Sequence, residues 1–324
     1  MRSAILNVMA NAALKAARGL IRDFGEVEQL QVSVKGPGEF VSTADLKAER
    51  ILRAELTRAR PSYALLLEES GATAGPDQRH RWIVDPLDGT TNFLHGIPHF
   101  SISIALERDG EIVAGVVYEP TRDEMYAAEK GFGAYLNDRR LRVSARRQLG
   151  EAVIGTGMPF GTRADQPGYV DSLASVISAT SGVRRMGSAA LDLAYVAAGR
   201  YDGFWEFGLA PWDIAAGILL VREAGGYVSD MAGGHEMMTT GDVLAANDHL
   251  HLPLAALIRE ALRGGRVTRR VCPATSADLI VHRVTLRYLR RPAGTNSRPG
   301  IPGGGVRWGS VNALPISRLD GFTA

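Results

Sequence analysis

The sequence predicts an α+β fold, in which helices pack against a largely antiparallel sheet. Strand-like runs follow one another between residues 101 and 143 with short turns between them, as in an antiparallel meander. Longer segments with apolar residues at helical spacing lie before and after the meander, and two of them end at glycines. Grouped strands and grouped helices favour separate layers over a regular βαβ repeat.

Length and composition limit the classes of protein that the chain can belong to. It has 324 residues, of which 45% are hydrophobic and 22% charged, which suits a globular protein with a large core. No run reaches about 18 apolar residues, so we expect neither a spanning helix nor a membrane partner. The single cysteine, Cys272, excludes an internal disulfide and a cysteine metal cage, and it favours a cytoplasmic protein.

Two helices are predicted before the first buried strand. Residues 1–24 have the spacing of an amphipathic surface helix, a better interpretation than a signal peptide because asparagines interrupt the apolar run. Residues 44–60 form the second helix, and the apolar run 81–84 is predicted as a buried strand. In the second helix the pattern places Leu46, Ile51, Leu52 and Leu56 on the buried side and Lys47, Glu49, Arg53 and Arg58 on the other.

The predicted meander contains a hairpin at Asp109-Gly110, because Asp-Gly is a strong turn signal between two strand-like runs. Glycines after the later helical segments are typical C-terminal caps. The further segments are strands at 124–129, 133–143 and 201–206 and helices at 169–180, 189–199 and 214–224.

The end of the chain differs from the rest in composition. From Gly264 onward it has ten Arg, no Lys, two Asp and no Glu, a net charge of +8, whereas the preceding residues carry −6. We predict a folded domain over 1–262 and a basic, poorly ordered tail over 263–324. Two alternatives stay open for the tail: an arm for an acidic partner or nucleic acid, and a stretch that is not native coding sequence.

The segment with the most chemical information is Asp85-Pro-Leu-Asp-Gly-Thr-Thr-Asn92. Pro86 cannot extend a strand ladder, so we expect the chain to leave the sheet there and both aspartates to converge beyond the strand end. The Gly-Thr that follows can begin a helix, whose free N–H groups favour a phosphate. Since Mg²⁺ takes oxygen ligands, the segment predicts a metal beside a phosphate site. If this segment is considered alone, the alternative is an ordinary turn in which an aspartate caps a helix.

Three more segments lie in the same order along the chain as a known set of signatures. They are Glu68-Glu69-Ser70, Gly187-Ser188-Ala189-Ala190 and Pro211-Trp-Asp-Ile-Ala-Ala-Gly217. With the segment from Asp85 to Asn92 they resemble the inositol monophosphatase family, and the resemblance covers about residues 1–262. It implies a layered α/β/α/β/α sandwich of the sugar-phosphatase type and Mg²⁺-dependent hydrolysis of a phosphate monoester.

The resemblance also implies a role for each site residue. Two to three Mg²⁺ ions would be bound, with Asp85 shared between two of them. Thr90 and Asp45 would be the pair that orients and deprotonates the attacking water, and Glu68 would be the third catalytic residue. The metal ligands would be Glu68, Asp85, Leu87 through its backbone carbonyl, Asp88 and Asp213. The substrate would contact Leu87, Asp88, Gly89, Thr90, Gly187, Ser188, Ala189, Glu206 and Asp213.

The leading substrate is myo-inositol 1-phosphate. Histidinol phosphate, fructose 1,6-bisphosphate and 3′-phosphoadenosine 5′-phosphate undergo the same chemistry and stay open, as does a non-catalytic role as a binding partner in an RNA-related process. The resemblance further implies lithium sensitivity and a homodimer. The family usually has glycine before the Glu-Glu pair, whereas this chain has Leu67. The resemblance therefore says least about the position of the loop that carries Glu68.

Overall fold

The structure, a computed structural model, describes residues 3–27, 32–36, 39–158 and 168–264. These residues all belong to one compact unit. The predicted tail lies outside the described residues except for its first two positions, so the division at residue 262 stays a prediction.

Two long helices cover one face of the large sheet, and both begin at serine caps. In α1 (Ala4–Phe24) the Ser3 hydroxyl accepts a hydrogen bond from the Leu6 amide, 3.2 Å away. In α2 (Thr43–Ala59) Ser42 and Asp45 form a capping box, in which Asp45 accepts from the Ser42 amide at 2.8 Å. The caps satisfy amides that a helix start leaves unpaired, and they fix where each helix begins.

The large sheet has eight strands in the order β10-β9-β8-β7-β6-β5-β3-β4, and all neighbours are antiparallel except β3 and β5. This confirms the predicted meander and its hairpin, in which Asp109 and Gly110 both have positive φ. The strands of this sheet are β3 (Tyr63–Leu67), β4 (Gly71–Thr73), β5 (Asp77–Asp88), β6 (Ser101–Arg108), β7 (Glu111–Glu119), β8 (Glu124–Glu129), β9 (Gly133–Leu136) and β10 (Arg139–Arg140). Two earlier strands, β1 (Val32–Gly36) and β2 (Glu39–Ser42), form a separate two-stranded sheet.

A second, mixed sheet of five strands follows, in the order β12-β11-β13-β15-β14. Its two edge strands have only three residues each. The strands are β11 (Val153–Thr156), β12 (Gly182–Arg184), β13 (Gly203–Glu206), β14 (Tyr227–Ser229) and β15 (Val243–Ala246). The remaining helices are α3 (Thr90–Leu94), α4 (Tyr169–Ala179), α5 (Ala189–Ala197), α6 (Pro211–Glu223), α7 (Met237–Thr240) and α8 (His251–Leu262).

Three apolar clusters show that the elements stack in five layers. One cluster joins α1 and α2 to the large sheet, and a second packs α5 and α6 between the other face of that sheet and the small sheet. The third joins the outer face of the small sheet to α4 and α8. The predicted α/β/α/β/α sandwich is therefore confirmed. Within the described ranges, no helix combines the length and the apolar character needed to cross a membrane.

The predicted faces of α2 are partly wrong. Leu46, expected inside, is 48% exposed, whereas Glu49, expected in solvent, is only 5% exposed. Helix α2 packs against α1 on one side and against β3 and β5 on another, so its buried surface is wider than one apolar stripe and reaches the polar side. The spacing of apolar residues in a helix does not show whether the helix packs against one neighbouring element or two.

Leu67, immediately before Glu68, belongs to the first cluster and has no exposed surface. Leu67→Ala is therefore expected to lower the free energy of unfolding by about 2–5 kcal/mol, since it leaves a cavity. Urea denaturation measures this, and Leu46→Ala on the exposed side of α2 should change stability by less than about 0.5 kcal/mol. Equal losses for the two variants would contradict the anchoring role of Leu67.

Candidate active site

Two parallel strands bring the first acidic residues to one edge of the large sheet. In the ladder of β3 and β5, Leu67 is opposite Val84, and the Glu68 amide donates to the Val84 carbonyl at 3.2 Å. Glu68, directly after β3, and Asp85, near the end of β5, therefore lie side by side. Because Leu67 is buried in the core, the strand before Glu68 is firmly anchored despite the missing glycine.

The chain does not leave the sheet at Pro86, so that expectation is corrected. Strand β5 continues to Asp88, with a register shift: Asp85 is opposite Ser103, and Asp88 is opposite Ser101. The two residues between the aspartates form a bulge, which absorbs the missing N–H of Pro86. The Leu87 amide turns back to donate to Asp85 Oδ1 at 2.8 Å.

Backbone amides at the starts of two helices donate hydrogen bonds to the other two aspartates, Asp88 and Asp213. Asp88 Oδ2 accepts hydrogen bonds from the Ser188 hydroxyl at 2.5 Å and from the Ala190 amide at 2.8 Å, at the beginning of α5. Asp213, in the first turn of α6, accepts from the Ala210 amide at 2.8 Å. Free amides and the positive end of the helix dipole favour a carboxylate at both positions.

The electrostatics show that the four carboxylates share one pocket. Burial raises the pKa of Asp85 well above its usual value, and the charges of Glu68, Asp88 and Asp213 raise it further. Burial likewise raises the pKa of Asp88 to about 6 and that of Asp213 strongly, with Asp88 the main charge acting on Asp213. The structure thus brings together all four acidic residues that the sequence singled out.

This arrangement suits a divalent cation by its chemistry. The carboxylates are hard oxygen donors, and Asp85 and Glu68 are hydrogen-bonded to each other, which requires a shared proton. Across the part of the chain that the structure describes, no three acidic, histidine or cysteine side chains already stand in metal-binding spacing. Small side-chain movements would have to complete such a set, with the shared proton displaced.

Thr90 and Asp45 also meet, although they are 45 residues apart in sequence. The Thr90 hydroxyl lies 3.0 Å from Asp45 Oδ1 and 3.0 Å from the Leu87 carbonyl oxygen, so its single proton serves one acceptor at a time. Burial raises the pKa of Asp45, and hydrogen bonds from Ser42 oppose this effect. A buried carboxylate beside a hydroxyl is a suitable proton acceptor.

Glycines allow two loops to touch at the substrate side of the pocket. Gly89, with φ of 99°, lies so close to Gly187 that an added Cβ would approach the Gly187 carbonyl oxygen to 3.3 Å. Gly187 itself has φ of 88°, in the region that favours glycine. The starts of α3 and α5, which carry Thr90, Ser188 and Ala189, therefore face the same space.

Glu206 ends β13 and packs its carboxyl group directly over Gly157, where any Cβ would overlap it. Sequence reasoning gave no role to Gly157, although a glycine just after a strand can signal a close approach. It also missed Asp192, which is fully buried in α5. Burial raises the pKa of Asp192 strongly, followed by the charges of Glu206 and Asp88, so Asp192 lies beneath the substrate side.

His99 lies in the interior after the metal motif, and no hydrogen-bond partner for its ring nitrogens exists among the described residues. Burial, and then the charge of Arg122, lowers its pKa to about 4, while Glu119 Oε1 lies 4.0 Å from Nδ1. The unfolded chain takes up this proton near pH 6.5 and the folded chain only near pH 4. The contribution of His99 to the free energy of unfolding is therefore fully present above pH 6.5, and it is lost as the pH falls from 6.5 to 4.

The loss due to His99 is expected to reach about 3 kcal/mol by pH 4. Urea denaturation from pH 7.5 to 4.5 measures it, and His99→Leu should give a flatter profile than the wild type. The control is His249→Gln, since the side chain of His249 is 38% exposed. Parallel profiles for His99→Leu and the wild type would refute the assignment.

Comparison with known proteins agrees with the observed fold. Residues 1–263 match the model of the inositol monophosphatase family. An inositol-1-monophosphatase of Mesorhizobium japonicum is 61% identical, over 81% of this chain and 98% of that relative. The Nus factor SuhB of Escherichia coli K12 is 43% identical, over 80% and 97%.

Among solved structures, the extragenic suppressor protein suhB of Bartonella henselae is 56% identical. It has a TM-score of 0.77 and covers 80% of this chain and 99% of its own. With a family model over most of its length and relatives of this similarity, the chain belongs to the inositol monophosphatase family.

Proposed function

We propose that this protein hydrolyses small polyol phosphate monoesters with Mg²⁺, and that myo-inositol 1-phosphate is its substrate. Membership of the family makes the chain a phosphoric monoester hydrolase. The observation that carries the proposal is the convergence of Glu68, Asp85, Asp88 and Asp213, whose carboxylates act on one another while Asp85 is buried. The name of the relative from Mesorhizobium japonicum supports the choice of substrate.

Glu68, Asp85, Asp88, Asp213 and the Leu87 carbonyl would hold two to three Mg²⁺ ions. Bound there, Mg²⁺ would neutralise the carboxylates and the phosphate and lower the pKa of a water molecule. Thr90 accepts a hydrogen bond from the attacking water and donates its own proton towards Asp45, 3.0 Å away. Asp45 is a competent acceptor because burial raises its pKa.

The substrate would lie between the starts of α3 and α5. Amides of Gly89 and Thr90 bind phosphate oxygens, while Leu87, Asp88 and Asp213 border the same space. Gly187, Ser188 and Ala189 line the other side. Glu206, whose carboxyl group is fixed over Gly157, accepts hydrogen bonds from ring hydroxyls. A fixed acceptor on the alcohol side is a means to distinguish among polyols.

Phosphate release by the purified full-length protein tests the proposal. Myo-inositol 1-phosphate with Mg²⁺ should give the highest kcat/KM, compared with histidinol phosphate, fructose 1,6-bisphosphate and 3′-phosphoadenosine 5′-phosphate. Chelation with EDTA should remove the activity, and added Mg²⁺ should restore it. If another phosphate has a higher kcat/KM, that compound is the substrate instead of myo-inositol 1-phosphate. Activity that persists in EDTA would contradict the proposed metal site.

A second candidate is a non-catalytic role as a binding partner, acting in the cytoplasm as a homodimer. The 43% identical relative named Nus factor SuhB favours it, and the basic tail would supply the contact with nucleic acid. Truncation after Leu262 should then abolish association with RNA while phosphatase activity persists. Unchanged association would exclude the tail from this role.

A further inference from the structure

Helix α2 carries a stripe of three polar residues that are spaced four apart: Asp45, Glu49 and Arg53. Residues at this spacing lie on one face of a helix, about one turn from each other. Asp45 and Glu49 are both buried, and Arg53 is half-buried. We call these residues the α2 stripe. Their sequence pattern alone had assigned Glu49 and Arg53 to the solvent side.

Each residue of the α2 stripe contacts a loop of the candidate site. Glu49 Oε2 accepts a hydrogen bond from the Glu69 amide at 2.8 Å, and the Arg53 guanidinium donates to the Ser70 hydroxyl at 2.5 Å. One turn earlier, Asp45 accepts from Thr90. The stripe therefore holds the segment directly after Glu68 at two points and Thr90 at a third.

These contacts fix the backbone on both sides of Glu68. Its own amide is tied to the Val84 carbonyl, and the next amide, that of Glu69, is tied to Glu49. With both flanking peptide groups held, the backbone of Glu68 keeps one position next to Asp85, which limits the positions open to its carboxyl group. Preorganised positions of this kind lower the cost of bringing ligand oxygens together around a cation.

Stability alone gives little reason for a carboxylate at position 49. A buried charge costs free energy, and apolar residues of similar size often stabilise a protein as well or better. We propose that Glu49 is a positioning residue, which sets metal affinity by holding the loop that carries Glu68. This inference rests on the proposed function, since it requires Glu68 to be a metal ligand.

The test compares two substitutions at Glu49 with a matched one at Glu55, which lies on the same helix and pairs with Lys15 and Arg58 instead. Glu49→Met keeps the length and removes the acceptor. Glu49→Gln keeps an oxygen that can accept from the Glu69 amide. Glu55→Met is the control. Measurements on the full chain are the Mg²⁺ concentration for half-maximal activity and the rise in Tm caused by Mg²⁺.

Glu49→Met is expected to need about 10- to 100-fold more Mg²⁺ for both effects, as with other groups that orient a metal ligand. Its Tm without metal should fall by no more than a few degrees, because the Glu69 amide loses its acceptor. Glu49→Gln and Glu55→Met should retain the wild-type response to Mg²⁺. If Glu49→Met does not fold, Glu49→Leu, which also lacks the acceptor, replaces it.

An unchanged Mg²⁺ response in Glu49→Met, with or without a lower Tm, would overturn the inference and leave the proposed function intact. The same holds if Glu49→Gln loses affinity as much as Glu49→Met does. A wild-type protein with neither Mg²⁺-dependent activity nor a Mg²⁺-dependent Tm would instead overturn the proposed function, and the inference with it.

Discussion

Replacing Asp85 with asparagine is expected to abolish activity and yet stabilise the metal-free protein. Asp85 is the proposed shared metal ligand, so kcat/KM should fall at least about 1000-fold, or about 4 kcal/mol. Without metal, Asp85 is buried among like charges, and its hydrogen bond to Glu68 needs a proton. Asparagine supplies an N–H donor to Glu68 without the need to take up a proton. A gain of about 1 kcal/mol corresponds to a rise in Tm of about 2–4 °C.

Phosphate release and thermal unfolding in EDTA measure the two effects of Asp85→Asn. The control is Asp109→Asn, at the hairpin between β6 and β7. The side chain of Asp109 is 52% exposed and pairs with Arg79, so its loss should leave both quantities almost unchanged. A metal-free Asp85→Asn variant that is less stable than the wild type would contradict the view that burial and the neighbouring carboxylates make the Asp85 charge unfavourable without metal.

Thr90→Val is expected to lower kcat about 100-fold or more, with little change in KM. Valine keeps the shape of threonine and removes the hydroxyl that bridges Asp45 and the Leu87 carbonyl, so the water loses its proton path. Steady-state kinetics at saturating Mg²⁺ separate this loss from a loss of metal. The fold should persist, since the other hydrogen bonds to Asp45 come from Ser42.

Thr90→Ser provides the matched comparison, because it restores the hydroxyl on a smaller side chain. Most of the activity should return in this variant. If Thr90→Val and Thr90→Ser are equally active, the hydroxyl takes no part in the reaction. If both raise KM and leave kcat intact, the role of Thr90 lies in phosphate binding alone.

Some elements were predictable because their signals are local. The hairpin at Asp109-Gly110 follows from the positive φ that its two central residues must adopt. The helices that begin near Ala189 and Pro211 could be predicted from apolar spacing and glycine ends, and the observed bounds differ by only a few residues. The hairpin and these helices depend on residues that are close together in the sequence.

Other elements gave no such signal. Strand β15 has four buried residues without alternation, and β14 has only three residues, so neither could be told apart from a loop or a helix segment. The helix α8 was not predicted at all. These elements form because the small sheet and the third apolar cluster bury them together.

The same division applies to the candidate site. The sequence by itself determined the acidic residues Glu68, Asp85, Asp88 and Asp213, since carboxylates at strand ends and helix starts can be recognised from the chain. Only the tertiary structure decided that Asp88 is held by the start of α5 and that Glu49 points inward to the Glu69 amide. Those contacts join segments far apart in sequence. Their free energy depends on which surfaces become buried, which no local pattern specifies.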